Sequence, residues 1–160
     1  MNAQTPYLVI ADDLSTEADA EAEYTWLLHT APENTIRIGD DPGTAFIEGA
    51  NRGAVCLVRF ISPGDGLVIS ETDLAGQRFE RRGRSHAYAR FFRELRADHR
   101  TDHARFIAIL AAADHPEELP RIRSNGTADQ MTIEVTTAGN RTDTILITPA
   151  AIEFRTAPHR

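Results

Sequence analysis

The chain has 160 residues, a length that fits one domain able to bury a core without disulfides or metal ions. Its net charge of −7 argues against general affinity for nucleic acids or anionic membranes. All of its basic residues other than histidine are arginine, so an acidic partner would have to meet a local arginine cluster. No stretch approaches the ~20 apolar residues of a membrane-spanning helix, and no signal-peptide pattern opens the sequence.

The first half of the chain has the pattern of short strands separated by turns. A continuous apolar run at 7–12 predicts a buried strand that runs into a turn, and residues 15–22 form a small acidic loop. Apolar residues alternate with others over 24–29, which predicts a second strand. Glycine and proline turns then separate further predicted strands at 35–38, 44–48, 54–61 and 67–72.

The second half contains one ambiguous region. Residues 88–97 and 104–113 are rich in good helix formers, yet helix propensity is a weak prior inside a large sheet. We therefore predict strands there and keep a short helix within 88–111 as the alternative. A loop at 114–120 precedes predicted strands at 121–124, 131–137, 143–148 and 150–155, with turns at Asn125–Gly126 and Gly139–Asn140.

Short strands at this spacing predict an all-β fold, namely an antiparallel β-sandwich. We assign a single domain to residues 6–155, with 1–5 as a disordered or tag-like N-terminus and 156–160 as a tail. The one cysteine, Cys56, lies in an apolar run and is predicted to be a buried, small hydrophobic residue.

Four segments carry a resemblance to a known family. They are an apolar strand ending in acidic residues (7–13), a strand ending in Leu-Leu-His-Thr (24–30), a strand ending in a proline turn (55–63) and an apolar strand (104–110). Together they resemble the C-terminal β-sandwich region of heparinase II/III-like polysaccharide lyases, which are bacterial enzymes that combine a helical toroid with a sandwich. Those enzymes cleave uronic-acid polysaccharides by β-elimination.

The resemblance implies that this chain is a non-catalytic sandwich. It would pack on a catalytic helical domain, in the same or a partner chain, and contact an acidic polysaccharide. The catalytic and zinc-binding patterns of the family have no match here, so we assign no catalytic or metal residue and expect little or no lyase activity from the chain alone. The family suggests a periplasmic or secreted parent protein.

The densest basic cluster is the best candidate for contact with an acidic glycan. Arginine binds carboxylate and sulfate groups through paired hydrogen bonds. The alternative is a solvated hairpin whose charges pair with nearby acids. A histidine ends the predicted strand at 24–29, where it could reach a cleft or simply be exposed. The predicted substrate contacts are Arg78, Arg81, Arg82, Arg84, His86 and His29.

Two other functions remain open. Tyr24 and Trp26 share a strand face, either as core aromatics or as the sugar-stacking platform of a stand-alone carbohydrate-binding module. His99 and His103 would form a zinc pair in a small metal-dependent enzyme if they lay four apart on a helix, although a polar turn is favoured. A solvated acidic edge is likewise favoured over a calcium site for Asp12, Asp13, Glu21 and Glu23.

Overall fold

A computed structural model describes residues 5–16, 20–50, 53–74, 79–81, 84–86, 92–127 and 129–156. The described chain consists of antiparallel strands and one 3-10 turn at Pro116–Glu118, so the predicted all-β antiparallel fold is confirmed. The strands are β1 (Tyr7–Ser15), β2 (Ala22–Thr30), β3 (Thr35–Ile38), β4 (Thr44–Glu48), β5 (Val55–Ser62), β6 (Val68–Leu74), β7 (Phe79–Arg81), β8 (Arg84–His86), β9 (Phe92–Thr101), β10 (His103–Ala113), β11 (Arg121–Thr127), β12 (Gln130–Thr136), β13 (Thr142–Ile147) and β14 (Ile152–Thr156).

Three sheets stack as layers. The central sheet has the strand order β1-β10-β5-β4-β3. The three-stranded sheet β2-β9-β6 covers one of its faces, and the four-stranded meander β11-β12-β13-β14 covers the other. Separate apolar clusters fill the two gaps between layers. Strands β7 and β8 form a small hairpin of their own.

Strand β10 lies in the middle layer and is buried from both sides. Phe106 and Ala108 pack toward the three-stranded sheet, whereas Ile107 and Ile109 pack toward the meander, and all four are fully buried. A strand covered on both faces has a continuous apolar sequence instead of an alternating one. This burial explains why the sequence also tolerated a helix over the same residues.

The helix alternative within 88–111 is wrong for the described residues 92–111. These residues form β9 and β10, with a bend at Asp102 between the two strands. Although β9 and β10 follow each other in the chain, they belong to different sheets. The bend therefore carries the chain from one layer of the stack to the next.

Two predicted turns are misplaced by a few residues. Strand β1 continues through the predicted turn at its acidic end, because Asp12 pairs with Phe106 of the central sheet. Gly126 lies within β11, and the chain reverses between Thr127 and Gln130. At Gly126 the backbone φ is 120°, and a Cβ atom would meet the Gln130 carbonyl oxygen at 2.1 Å. Glycine is needed there for a close backbone approach.

Buried polar contacts connect the layers. The Tyr7 hydroxyl on β1 donates to Asp143 Oδ2 on β13 at 2.9 Å, and Arg141 Nη2 donates to the same oxygen at 2.8 Å. Asp143 is only 3% exposed. Burial, and then the hydrogen bond to Asp143, raises the pKa of Tyr7 to about 12. Thr5, within the predicted N-terminal segment, is buried and donates to the Glu118 carbonyl oxygen at 2.9 Å.

Candidate functional site

The three-stranded sheet turns one face toward the core and the other outward. Leu95 and Ala97 of β9 are fully buried in the core, so the residues that alternate with them project to the opposite side. Directly paired residues on β2 and β6 share that side. We call this surface the outer face. It comprises Thr25, Leu27 and His29 of β2, Val68, Ser70 and Thr72 of β6, and Phe92, Glu94, Arg96 and Asp98 of β9.

A network of hydrogen bonds occupies the middle of the outer face. Arg96 Nε donates to both carboxylate oxygens of Asp98, at 2.8 and 3.0 Å, and Arg96 Nη2 donates to Thr25 Oγ1 at 3.1 Å. Thr25 in turn donates to Asp98 at 2.6 Å. The hydrogen bond from Arg96 holds the pKa of Asp98 below its usual value, so this carboxylate is ionised at neutral pH. The network therefore pairs the charged groups of Arg96 and Asp98 at the centre of the face.

A histidine and a buried glutamate form a pair at one end of the outer face. His29 and Glu94 are directly opposite each other in the β2–β9 ladder, and His29 Nε2 donates to Glu94 Oε2 at 2.9 Å. Glu94 is 6% exposed, whereas 47% of the His29 side chain is exposed. The His29 ring also lies 5.9 Å, centroid to centroid, from the ring of Phe92. Glu94 thus orients a half-exposed imidazole beside an exposed aromatic ring.

Sequence reasoning missed Glu94 and Phe92 as members of this site. Both precede the apolar part of β9, and nothing in their local sequence distinguishes them from neighbouring residues of a charged strand. The signal that identifies them is the cross-strand register between β2 and β9. That register depends on residues about 65 positions apart, as the His29–Glu94 hydrogen bond illustrates.

Large apolar side chains are also exposed on the outer face. Leu27 is 47% exposed, Val68 is 61% exposed and Phe92 is 36% exposed. They share the face with the Arg96–Asp98 network, whereas Ile69, the neighbour of Val68, packs into the core. Several exposed apolar side chains on one face of a sheet are typical of a surface that another protein or a ligand covers.

The register of the three-stranded sheet brings the arginine-bearing segment to the same end as His29. Leu74, the last residue of β6, pairs with Phe92, the first residue of β9. Thr30, next to His29, pairs with Arg93. The segment that contains the predicted arginines therefore leaves and re-enters the sheet at the end where His29 lies.

The described part of that segment is the β7–β8 hairpin. Arg81 pairs with Arg84 across the hairpin, and His86 lies at the end of β8. Arg78 and Arg82 lie outside the described residues.

A pocket of about 580 Å³ opens beside His29, between β2 and the central sheet. Its apolar wall includes Leu28, Val55 and Leu110, and Asp114 and Glu118 lie at its polar margin. The volume falls in the range of small-molecule and ligand sites. The site therefore combines a pocket, a half-exposed histidine and the ends of a basic segment.

Two aromatic residues and the cysteine have structural roles. The Trp26 ring packs edge-on against Phe60 at a centroid distance of 5.1 Å, and the Tyr24 hydroxyl donates to the Asp102 carbonyl oxygen at 3.3 Å. Both rings pack against the core, which places them among the core aromatics and not on an exposed sugar platform. Cys56 also packs against the core and lines the pocket, and its burial raises the pKa of the thiol.

The condition for a zinc pair at His99 and His103, a shared helix, is not met. His99 is on β9 and His103 begins β10, so the two histidines belong to different sheets, and His103 hydrogen-bonds to Asp13. Three of the four acidic residues considered for calcium contact basic side chains. Asp13 contacts His103, Glu21 accepts from Arg100 at 2.9 Å, and Glu23 lies 3.8 Å from Arg96. Among the residues described, no group of three or more His, Cys, Asp or Glu side chains is arranged to hold a metal ion.

Comparison with known proteins identifies no relative. No protein-family model matches the sequence, and neither a curated protein nor a solved structure matches it. Within the described part of the chain, no helix is long and apolar enough to cross a membrane. Any functional inference therefore rests on the geometry of the outer face and on the sequence patterns.

Proposed function

We propose that this chain is a non-catalytic β-sandwich part of a heparinase II/III-like polysaccharide lyase, in which it contacts an acidic polysaccharide and packs on a catalytic helical domain. One observation carries the proposal: the register of β2, β9 and β6 gathers His29 and both ends of the arginine-bearing segment at one end of the outer face. The sequence alone nominated His29 and basic residues within that segment for glycan contact.

The residue types at this end suit an acidic sugar chain. Arginine side chains bind carboxylate and sulfate groups through paired, charge-assisted hydrogen bonds. The exposed rings of His29 and Phe92 supply an aromatic surface, and aromatic rings pack well against the apolar faces of other rings. The chain as a whole carries a charge of −7, so a polyanion would bind only where basic residues are concentrated.

The rest of the outer face suits contact with a second domain. Exposed Leu27 and Val68 lie beside the Arg96–Asp98 network, so apolar and polar groups alternate across one surface. Protein interfaces combine apolar contact with hydrogen-bonded polar groups in this way. The catalytic helical domain would cover this part of the face and leave the His29 end open to the polysaccharide.

A glycan-binding experiment tests the proposal. Heparin, heparan sulfate, hyaluronan and alginate are titrated against the chain at low and high salt, about 0.05 and 0.5 M, since salt screens charge contacts. We expect salt-sensitive binding to at least one of them. The double variant Arg81→Ala/Arg82→Ala should weaken that binding about tenfold or more, and Phe92→Ala should weaken it severalfold.

The matched control removes two exposed arginines from the opposite layer of the molecule. Arg121 and Arg123 lie exposed on β11 of the meander, so Arg121→Ala/Arg123→Ala changes the net charge equally at a distant surface. The proposal predicts that this control binds nearly as well as the unmodified chain. Absence of binding to all four glycans, or an equal loss in the control, would rule out a specific glycan contact at the His29 end.

A further inference from the structure

Strand β14 is the last strand of the meander and has an open edge. It pairs with β13, and no other strand in the described residues pairs with its second side. Two of its apolar side chains are exposed, Ile152 at 42% and Phe154 at 59%. An edge strand with exposed apolar residues is a template for pairing with another strand.

Hydrogen-bonded and non-hydrogen-bonded residue pairs alternate along the β13–β14 hairpin. This alternation determines which backbone N–H and C=O groups of β14 point away from β13. The Thr148 N–H donates to the Ala151 carbonyl oxygen at 2.9 Å, so this pair closes the hairpin as a hydrogen-bonded pair. Hydrogen-bonded and non-hydrogen-bonded pairs alternate along an antiparallel ladder. Ile152 and Phe154 are therefore in non-hydrogen-bonded pairs with Ile147 and Ile145, and their N–H and C=O groups point away from β13.

The charges of β14 are complementary to those of a second β14. If two copies pair antiparallel about a two-fold axis at Phe154, then Glu153 of each copy lies directly opposite Arg155 of the other. Cross-strand pairs of opposite charge and aromatic cross-strand pairs both stabilise a sheet. Within one chain, Arg155 Nη2 already lies 3.2 Å from Glu153 Oε2, and both side chains are more than half exposed, so both are available to a second copy.

The apolar face of the meander would also continue across the two-fold axis. Ile152 and Phe154 project to the same side as Ile147 and Ile145, which are fully buried against the central sheet. In the pairing about Phe154, the two exposed phenylalanine rings would face each other on that side. The register that matches the charges is thus the one that covers the exposed rings.

We propose that β14 is a homodimerisation edge, at which two copies of this chain join their four-stranded sheets into one continuous sheet. The occupant of the edge is a second copy because the strand is self-complementary in charge about Phe154. The contact is isologous, as a closed two-fold dimer requires. This inference is independent of the glycan contact, which lies on a different sheet.

The test is the oligomeric state of the full chain, measured by sedimentation velocity from about 1 to about 500 μM, because a short strand pair forms a small and weak interface. We expect a reversible monomer–dimer equilibrium. Glu153→Arg places like charges opposite each other twice in the dimer and should raise the dissociation constant about tenfold or more. The double variant Glu153→Arg/Arg155→Glu restores opposite charges and should restore dimerisation.

Two further variants complete the design. Glu117→Arg makes the same charge change at an exposed residue of the 3-10 turn and should dimerise like the unmodified chain. Phe154→Pro removes an N–H that points away from β13, so it should abolish the dimer while the β13–β14 ladder keeps its hydrogen bonds. Circular dichroism checks that each variant is folded, and if Phe154→Pro is not, the charge variants decide the question.

Three outcomes would overturn the proposal. A chain that stays monomeric over the whole concentration range would show that β14 does not pair with a second copy. A dimer that withstands Glu153→Arg uses a different surface. A dimer that is lost in Glu153→Arg and is not regained in the double variant does not have the register centred on Phe154.

Discussion

The hydrogen bond between Tyr7 and Asp143 ties the edge strand of the central sheet to the meander, and Tyr7→Phe removes it alone. The substitution leaves the ring and deletes the hydroxyl that donates to Asp143 Oδ2. Arg141 keeps both of its hydrogen bonds to the same carboxylate, so Asp143 does not become an unpaired buried charge. The experiment therefore measures the tyrosine contact itself.

The expected loss at pH 8 follows from the chemistry of that contact. A hydrogen bond to a charged group contributes roughly 1.5–3 kcal/mol, and the remaining Arg141 contact favours the lower end of this range. We expect Tyr7→Phe to lower the free energy of unfolding by about 1.5 kcal/mol. For a chain of this size, that loss corresponds to a decrease in Tm of about 3–6 °C.

Ionisation of Tyr7 should make the free energy of unfolding depend on pH. The pKa of Tyr7 is raised to about 12 from an ordinary value of 10.0, so the folded state holds the phenolic proton more tightly than the unfolded state. The stabilisation is complete below pH 10 and is lost as the pH rises toward 12. At pH 11 the unmodified chain should have lost about 1 kcal/mol of it, after allowance for solvent screening at this partly exposed hydroxyl.

Urea denaturation at pH 8 and pH 11 checks both expectations. The difference in unfolding free energy between the unmodified chain and Tyr7→Phe should shrink markedly between the two values. Tyr24→Phe is the control, because it deletes a hydroxyl that donates to a backbone carbonyl at an exposed position. A difference that is the same at pH 8 and pH 11, or that changes equally in the control, would refute the raised pKa of Tyr7, which burial and the hydrogen bond to Asp143 produce together.

Two further predictions test the placement of individual residues, again by urea denaturation. Leu95→Ala should cost about 2–5 kcal/mol because Leu95 is fully buried, whereas Leu27→Ala on the same sheet should cost less than about 1 kcal/mol because Leu27 is 47% exposed. Equal losses would contradict the assignment of inner and outer faces. Gly126→Ala should destabilise by about 1–3 kcal/mol, since a Cβ atom there meets a carbonyl oxygen at 2.1 Å, and a harmless substitution would show that the hairpin is built differently. Gly64→Ala, with no atom within 4 Å of the added carbon, is the matched control.

The strands were predictable from the sequence where local signals are strong. Short alternating segments bounded by glycine and proline correspond to β3 and β4 at the predicted residues. The turn at Gly139–Asn140 is also confirmed, with Asn140 at a φ of 61°. Both features depend on residues within a few positions of each other, so the local sequence contains the necessary information.

The layer arrangement was not predictable in the same way. A continuous apolar run such as β10 is compatible with a helix or with a strand covered on both faces, and periodicity does not separate the two. The passage of β9 and β10 into different sheets depends on pairing with β2 and β1, which are distant in the chain. The same long-range register places Glu94 opposite His29. This part of the site therefore could not be predicted from local sequence either.

The outward surfaces of the stack differ in a way that bears on function. The middle of the central sheet is covered on both faces, whereas its edge strand β1 exposes Leu8 and Leu14. Strand β12 of the meander projects Thr132, Glu134 and Thr136 outward, as expected of a solvated sheet. The outer face of the three-stranded sheet instead buries the carboxylate of Glu94 beside His29. Burying a carboxyl group costs free energy that a single hydrogen bond offsets incompletely, so stability alone is a weak explanation for this pair. A face that exposes apolar residues and orients a half-exposed imidazole has the properties of a binding surface, which makes the His29 end the place to test first.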